Sequence, residues 1–600
     1  MSSTPASQQA IRAALARLGI ERLVLSIHQA SFPPAHDDIG HGTPYSDQGW
    51  ALIAWLAGLG FTGVALGPAG ITSRTNPSPY DATALSRNPC HIALRPLCER
   101  GLLDTRRLAA AVENRPSGAG AAYAYAWTTQ RRLLESVAAL ARNDAAVAAG
   151  VTQLQQTAPW LAAEAGYEAQ AAAAGHDDWR RWPPEPPPHH DAAWSFLVSQ
   201  WLVREQHAAF RSHARRLGLR VYGDLAIGTS HREQFLFRDL FLAGYAMGAP
   251  PSRTNPDGQP WGYPLLNPEK LGPDGEAWRY AAMRLDAILQ DHDGLRIDHP
   301  HGWVCPWVYR TDDPDPLHAV QNGARLYESP DLPDHPALAA YARVHSDQID
   351  RSQPRHADNW VHALEPGQLA QYARPFDLIV RRVQAHGGGT PDLMVEVLST
   401  CPRPLAEALA RHGLGRFRVI QKANVRDPQD PYRSDQAPPQ DWIMLGNHDT
   451  PPLRAVLETW QGTDEWNRRA AYLAARLATG PQERVALQTR LAEDQTALLT
   501  AMFADLFCGP ARNVLIFWAD LFGLRKVYNR PGVADPANWS LRAPADFDAA
   551  YRDARDRGEA PDLGLALAWA LRARRLDQDA EGQELSKSLQ KCPTGRAPTP

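Results

Sequence analysis

Four short apolar segments of this chain run out into an acid, with stretches of helical periodicity between them. Leu219–Asp224, Leu295–Asp298 and Leu393–Glu396 end directly in one, and Trp442–Leu445 leads through Gly446, Asn447 and His448 to Asp449. Upstream, Leu23–Ser26, Asp47–Leu59 and Gly63–Leu66 read as strand, helix and strand, the order of a parallel βαβ unit. Repetition of that unit places the chain in the α/β class and, within it, as a (β/α)8 TIM barrel. Its 600 residues exceed one compact core, but a barrel with helical and loop insertions absorbs them. One acid at a strand end can simply cap the chain that follows. Four of them in a barrel converge on the C-terminal face, where such folds build their sites.

The insertions can be placed from composition. A short amphipathic helix is expected over 1–20 and the barrel over 21–576. Residues 104–190 are Ala-rich, lack strand signals and end in a Pro-rich connector, so they read as an inserted helical subdomain. The Pro- and Asp-rich stretch 311–366 is too long for an ordinary connection and reads as a lid-like insertion. Residues 577–600 are polar and are expected to be a disordered tail.

Composition excludes several classes. No apolar run approaches a membrane span, and a net charge of −4 gives no reason to expect nucleic acid or an anionic membrane as partner. Six scattered cysteines without a CxxC pair, and an N-terminus without a signal-peptide pattern, point to a reducing compartment, the cytoplasm. His292, His299 and His301 cluster in sequence, but no second ligand group accompanies them, so neither a metal nor a cofactor is expected.

The stretch DGLRIDHPHGWV at Asp293–Val304 carries the sharpest chemistry. Strand alternation puts Leu295 and Ile297 on one face and Arg296 and Asp298 on the other. A guanidinium beside a carboxylate keeps the acid ionised, which suits a nucleophile. Alone, this pair reads equally as a salt bridge at a strand end. Set beside Asp224, Glu396, Asp449 and His448, it suits glycosyl transfer, which needs a nucleophilic carboxylate, an acid/base and groups that hold the sugar. Tyr80, Trp261 and Trp303, read as loop residues, offer stacking surfaces.

These residues resemble the amylomaltases, the 4-α-glucanotransferases of glycoside hydrolase family 77 in the α-amylase clan, from about Ile39 to Arg542. SPYDATALSRNP resembles the family's loop with a sugar-binding Tyr, here Tyr80, and VYGDLAIGTS its third-strand motif, here with Asp224. Trp179 and Trp182-Pro183 match a W-x-x-W-P element, and PWGYP places Trp261. GLRIDHPHGW resembles the nucleophile motif, which implies Asp298 as nucleophile and Arg296 as its charge partner. LMVEV implies Glu396 as acid/base, and GNHDT implies His448 and a transition-state-stabilising Asp449. YNRPGVADPANWSLR resembles the closing segment. The chain departs from the pattern at Ala226, Gly228, His301, Val397, Asn447 and Thr450. The implied activity is retaining transfer of α-1,4-glucan segments to the 4-hydroxyl of an acceptor, on malto-oligosaccharide substrates and without a cofactor. The alternatives are an α-glucan hydrolase on the same barrel and a catalytically silent glucan-binding protein.

Overall fold

The computed structural model describes residues 5–118, 120–183, 189–253, 255–398, 400–533 and 535–591. In chain order its strands are β1 (Arg22–Ser26), β2 (Gly63–Ala65), β3 (Arg220–Leu225), β4 (Tyr245–Ala249), β5 (Gln259–Tyr263) and β6 (Gly294–Ile297). They continue with β7 (Trp307–Arg310), β8 (Ala324–Arg325), β9 (Leu393–Val395), β10 (Phe417–Val419), β11 (Trp442–Met444) and β12 (Asn513–Phe517). Eight of them form one parallel sheet in the order β10-β11-β12-β1-β2-β3-β6-β9. Side chains tie its two ends together: the Trp442 indole donates to the Leu393 carbonyl at 3.1 Å, and Arg416 donates to the Leu398 carbonyl. The fold is therefore the (β/α)8 barrel expected from the alternation of strands and helices.

Period-two alternation sorts each strand between two cores. Val24, Ala65, Tyr222, Met394, Phe417, Trp442, Met444 and Leu515 point inward and fill the barrel with an apolar plug. Leu225, Leu295, Ile297 and Val395 point outward, under helices such as Glu276–Leu289 and Pro366–Ala385. Two residues beyond Tyr222 and Met394, on the same inward faces, come Asp224 and Glu396. The β3–β6 register sets Asp224 opposite Arg296. A charged layer thus sits one pleat above the plug.

The helix Asp47–Gly58 shows how local sequence fixes an element. Ser46 caps it by accepting from Gly49 N at 3.1 Å, and its Leu52, Ile53 and Leu56 are fully buried. Four helices follow, Thr105–Glu113, Tyr123–Ala141, Ala145–Thr157 and Trp160–Ala174, the last packed on His190–Arg216. Residues 184–188 of the Pro-rich connector lie outside the described residues.

Several details depart from the sequence reading. Trp261 and its neighbours form β5, part of a second, antiparallel sheet in the order β5-β4-β7-β8. The lid-like stretch 311–366 contributes β8 to that sheet. It also buries Leu338, Trp360 and Val361 in the core that holds Leu295 and Ile297, so its apolar residues anchor it. The last strand, β12, ends at Phe517, and Trp518–Leu521 turns directly into a helix. Asp449 lies five residues past the end of β11 and belongs to a loop. The tail expected to be disordered from 577 carries the helix Ala580–Lys591, which packs on Leu563–Ala573 and on the N-terminal helix Pro5–Leu18. Its Leu589 is fully buried, an anchor that a polar average conceals; residues 592–600 lie outside the described residues.

Replacing a buried Leu by Ala costs about 2–5 kcal/mol. Leu589→Ala is therefore expected to release the terminal helix, read as earlier amide exchange across 580–591 with the barrel strands unchanged. Unaltered exchange there would contradict the docking.

Candidate active site

The C-terminal ends of β3, β6 and β9 deliver Asp224, Arg296, Asp298 and Glu396 to one point. All four are buried. Arg296 is the hub: Nη1 donates to both oxygens of Asp224 at 2.8 and 2.7 Å, while Nη2 donates to Asp298 at 3.1 Å and Glu396 at 2.5 Å. The backbone N–H of Ile227 donates to the second oxygen of Asp298 at 3.0 Å. His299 follows directly, with its Nδ1 3.2 Å from Asp298 and 3.4 Å from Glu396. Its backbone stands at φ +37°, a strained left-handed conformation for a residue with a Cβ. One oxygen from each carboxylate and the imidazole nitrogen lie within 4.8 Å of one another. That spacing would admit a cation, but Arg296 and His299 already direct positive donors at these oxygens.

Protonation follows from this geometry. Burial opposes charge on Asp298, but Arg296 and the hydrogen bond from His299 outweigh it and hold the carboxyl well below the usual range. His299 is also penalised by burial, yet its hydrogen bonds to the two carboxylates raise it to about 10. Asp224 goes the other way, to about 7, because burial and the neighbouring Asp298 and Glu396 outweigh Arg296.

Tyr80, from the loop after β2, leans over this layer. Its hydroxyl lies 3.3 Å from Asp224 Oδ2, receives Arg296 Nη1 at 3.3 Å, and stands 3.4 Å from His28 Nε2. Its ring stacks on His448, with centroids 4.9 Å apart and planes 11° apart. Asp449 is more open, its side chain 33% exposed, with one oxygen 3.4 Å from His448 Nε2. Asn529 donates to its other oxygen at 2.6 Å. Trp261 reaches the site from β5, edge-on to His299 at 5.0 Å.

The structure thus brings together all eight residues expected at the site: Asp224, Arg296, Asp298, Glu396, His448, Asp449, Tyr80 and Trp261. The Glu396 carboxylate faces Arg296 and His299, and Val395 and Val397 pack behind the backbone in the outer core. Trp303 packs against that outer core, with the Arg284 guanidinium over its ring at 5.9 Å. Trp182 of the W-x-x-W-P element donates to His176 O and packs on Tyr167 and Phe235, away from the site.

Other members were missed. His28, just past β1, stacks on Tyr528 and meets Tyr80, His448 and Trp539. A polar residue after an apolar strand was its only signal. His299 was weighed only as a metal ligand. Lys422, in the turn after β10, is half-buried near Asp449 and Glu396; burial lowers its pKa while those acids raise it.

The family model described as 4-alpha-glucanotransferase, glycoside hydrolase family 77, matches residues 28–546. This chain belongs to that family. A 4-alpha-glucanotransferase of Mycobacterium tuberculosis is 29% identical over 515 residues, covering 79% of this chain and 64% of the relative. One of Thermus thermophilus is 29% identical over 266 residues, covering 40% of this chain and 51% of the relative. The chain thus spans less than two thirds of the curated mycobacterial relative's length. Among solved structures, the amylomaltase from Streptococcus agalactiae in complex with acarbose aligns at TM-score 0.67 and 17% identity, over 90% of this chain and all of that one. The amylomaltase from Corynebacterium glutamicum aligns at TM-score 0.67 and 18% identity, over 96% of this chain and 76% of that one. At such identities these likenesses speak for the fold, the same decorated barrel.

His299 gives a signed pH test. Its folded value of about 10 lies above the unfolded value of about 6.5. Its contribution to stability is therefore fully present below about pH 6.5 and is lost as pH rises through about 10. Thermal midpoints of the unaltered protein and His299→Gln should differ most in mildly acidic and neutral buffer and converge at high pH. A gap that widened with pH would contradict the assignment.

Proposed function

We propose that this chain is a retaining 4-α-glucanotransferase, in which Asp298 is the nucleophile and Glu396 the acid/base. The observation that carries the reading is the approach of their carboxylate oxygens within 4.8 Å across a shared Arg296 and His299. Retaining enzymes hold the two carboxyl groups about 5–5.5 Å apart, whereas inverting enzymes need about 6.5–9.5 Å to admit a water. Membership of the 4-alpha-glucanotransferase family supports glucan as the substrate class.

In the proposed cycle Asp298 attacks the anomeric carbon of an α-1,4-linked unit while protonated Glu396 gives its proton to the departing 4-oxygen. The C–O bond breaks, the shortened glucan leaves, and a β-glycosyl ester on Asp298 remains. Arg296 and His299 keep Asp298 anionic for the attack and oriented through Nη2 and Nδ1. Ionised Glu396, held by the same two groups, then takes the proton of an acceptor's 4-hydroxyl. The second displacement restores the α linkage and frees Asp298.

Asp449, the most open acid of the set, would accept from sugar hydroxyls at the cleaved unit, with His448 and Tyr80 against the same ring. Asn529 fixes the direction in which Asp449 points. Trp261 offers a face for the neighbouring unit. Transfer in place of hydrolysis requires water to be kept from the ester. The anchored 311–366 segment and the small sheet that it joins would supply that wall. Among the described residues no helix is long and apolar enough to cross a membrane. A cytoplasmic location fits the five described cysteines, all free.

Incubation with maltotriose, resolved by chain length, separates the readings. Transfer yields glucose together with products longer than the substrate; products no longer than maltotriose would indicate hydrolysis. Asp298→Asn and Glu396→Gln are each expected to cut the rate by at least ~10²–10⁴-fold with the thermal midpoint largely kept. Full disproportionation by Asp298→Asn would remove the nucleophile assignment.

A further inference from the structure

Behind β3, on the far side of Asp224 from Arg296, lies a cavity with about 30 Å³ of free volume. It is enclosed by the turn after β2 and by the helices His190–Arg216 and Glu276–Leu289. Arg87, Arg204, Arg284 and His292 all line it. Arg87, Arg284 and His292 are 5%, 4% and 3% exposed, and the Arg204 side chain 10%. Each presents a buried nitrogen with no hydrogen-bond partner among the described residues: Arg87 Nη1, Arg204 Nε, Arg284 Nε and His292 Nε2. A buried, unmet guanidinium donor is costly; here Arg87 Nη1 and Arg204 Nε are unmet, and Arg284 Nε has only a Glu233 oxygen at 3.5 Å.

The local charges do not cancel. Arg87 and Arg204 share one acid, donating to the same Asp291 oxygen at 2.9 and 2.8 Å. Arg284 has an ion-pair contact at 3.5 Å with Glu233, which is fully buried. Asp224 also borders the cavity, but both of its oxygens are taken by Arg296. Arg87 and Arg204 therefore share a single carboxylate as their acidic hydrogen-bond partner, one guanidinium more than Asp291 neutralises. The volume suits about two water-sized occupants, too few for a tetrahedral oxyanion with its own hydration. His292 Nδ1 lies 2.8 Å from the Ile288 carbonyl and must carry the proton, so the Nε2 facing the cavity is an acceptor.

We propose that this cavity binds a small monovalent anion of the halide class, held by Arg87, Arg204 and Arg284, with one water joining it to His292 Nε2. The anion supplies the missing negative charge and accepts from the unmet N–H groups, and the water provides the donor that His292 requires. The site adjoins the chain after β3, where Arg284 Nη2 holds the Ala226 and Gly228 carbonyls at 3.0 and 2.9 Å. Bound anion would therefore stiffen the segment whose Ile227 N–H holds Asp298. The proposal does not depend on the glucan chemistry, and its failure would leave that reading untouched.

The test is crystallographic and thermal. Crystals of the full chain grown in bromide are expected to show an anomalous peak in this cavity, in contact with the Arg87 and Arg204 side chains. In solution, the thermal midpoint should be higher in chloride or bromide than in gluconate at equal ionic strength, because a ligand of the native state alone stabilises it. Arg204→Met leaves Arg87 balanced by Asp291 and Arg284 by Glu233, so that shift should disappear. Two ordinary waters in the cavity of bromide-grown crystals, with equal midpoints in chloride and gluconate, would overturn the proposal. If Arg204→Met fails to fold, the anomalous map of the unaltered protein decides alone.

Discussion

The guanidinium of Arg296 is the interaction on which the rest of the site depends. Asp224, Asp298 and Glu396 all lie within reach of one another in a buried layer, where like charges repel strongly and are poorly solvated. Only a cation that touches all three lets them coexist, and Arg296 divides its two terminal nitrogens so that each carboxylate receives at least one hydrogen bond. A lysine could match the charge but not the fork. His299 contributes a second positive group on the open side. The different protonation of Asp298 and Asp224 is a consequence: one faces both cations, and the other sits deeper with the two acids as neighbours.

The barrel makes this hub possible. β3, β6 and β9 are adjacent, and period-two alternation carries Asp224, Arg296 and Glu396 to the same inward side above the apolar plug. Tyr222 and Met394, one pleat below, exclude water from beneath, so the charged layer is open only toward the C-terminal face. The loops then complete what the strands cannot reach. Tyr80 comes from after β2, His448 and Asp449 from after β11, Trp261 from the small sheet, and Asn529 from the closing segment. Stacking of Tyr80 on His448 fastens loops from opposite sides of the barrel. An anion behind Asp224 would extend the same logic, balancing charge one layer further out.

Much of this was legible in the sequence, because strands ending in acids and the RID alternation are local patterns with one structural meaning. Arg296 and Asp298 on one face, opposite Leu295 and Ile297, needed only the pleat. What the sequence hid depends on long-range contacts. His28 meets His448 from the other end of the chain, and Asn529 holds Asp449 from a loop 80 residues further on, with no motif spacing to connect them. The position of Glu396 against Arg296 is set by the β6–β9 register and not by its valine neighbours. The helix at Ala580–Lys591 has a polar composition, and one buried Leu589 secures it. Composition averages such an anchor away.

The central claim is that Asp298 carries the sugar between the two displacements. A mechanism-based fluorinated glycosyl fluoride, which forms the ester quickly and releases it slowly, tests it by peptide mass spectrometry. The account predicts one added glycosyl unit, on the peptide that contains Asp298, and none in Asp298→Asn. An adduct on Glu396, Asp224 or Asp449 in place of Asp298, or turnover with inversion at the anomeric carbon, would contradict it.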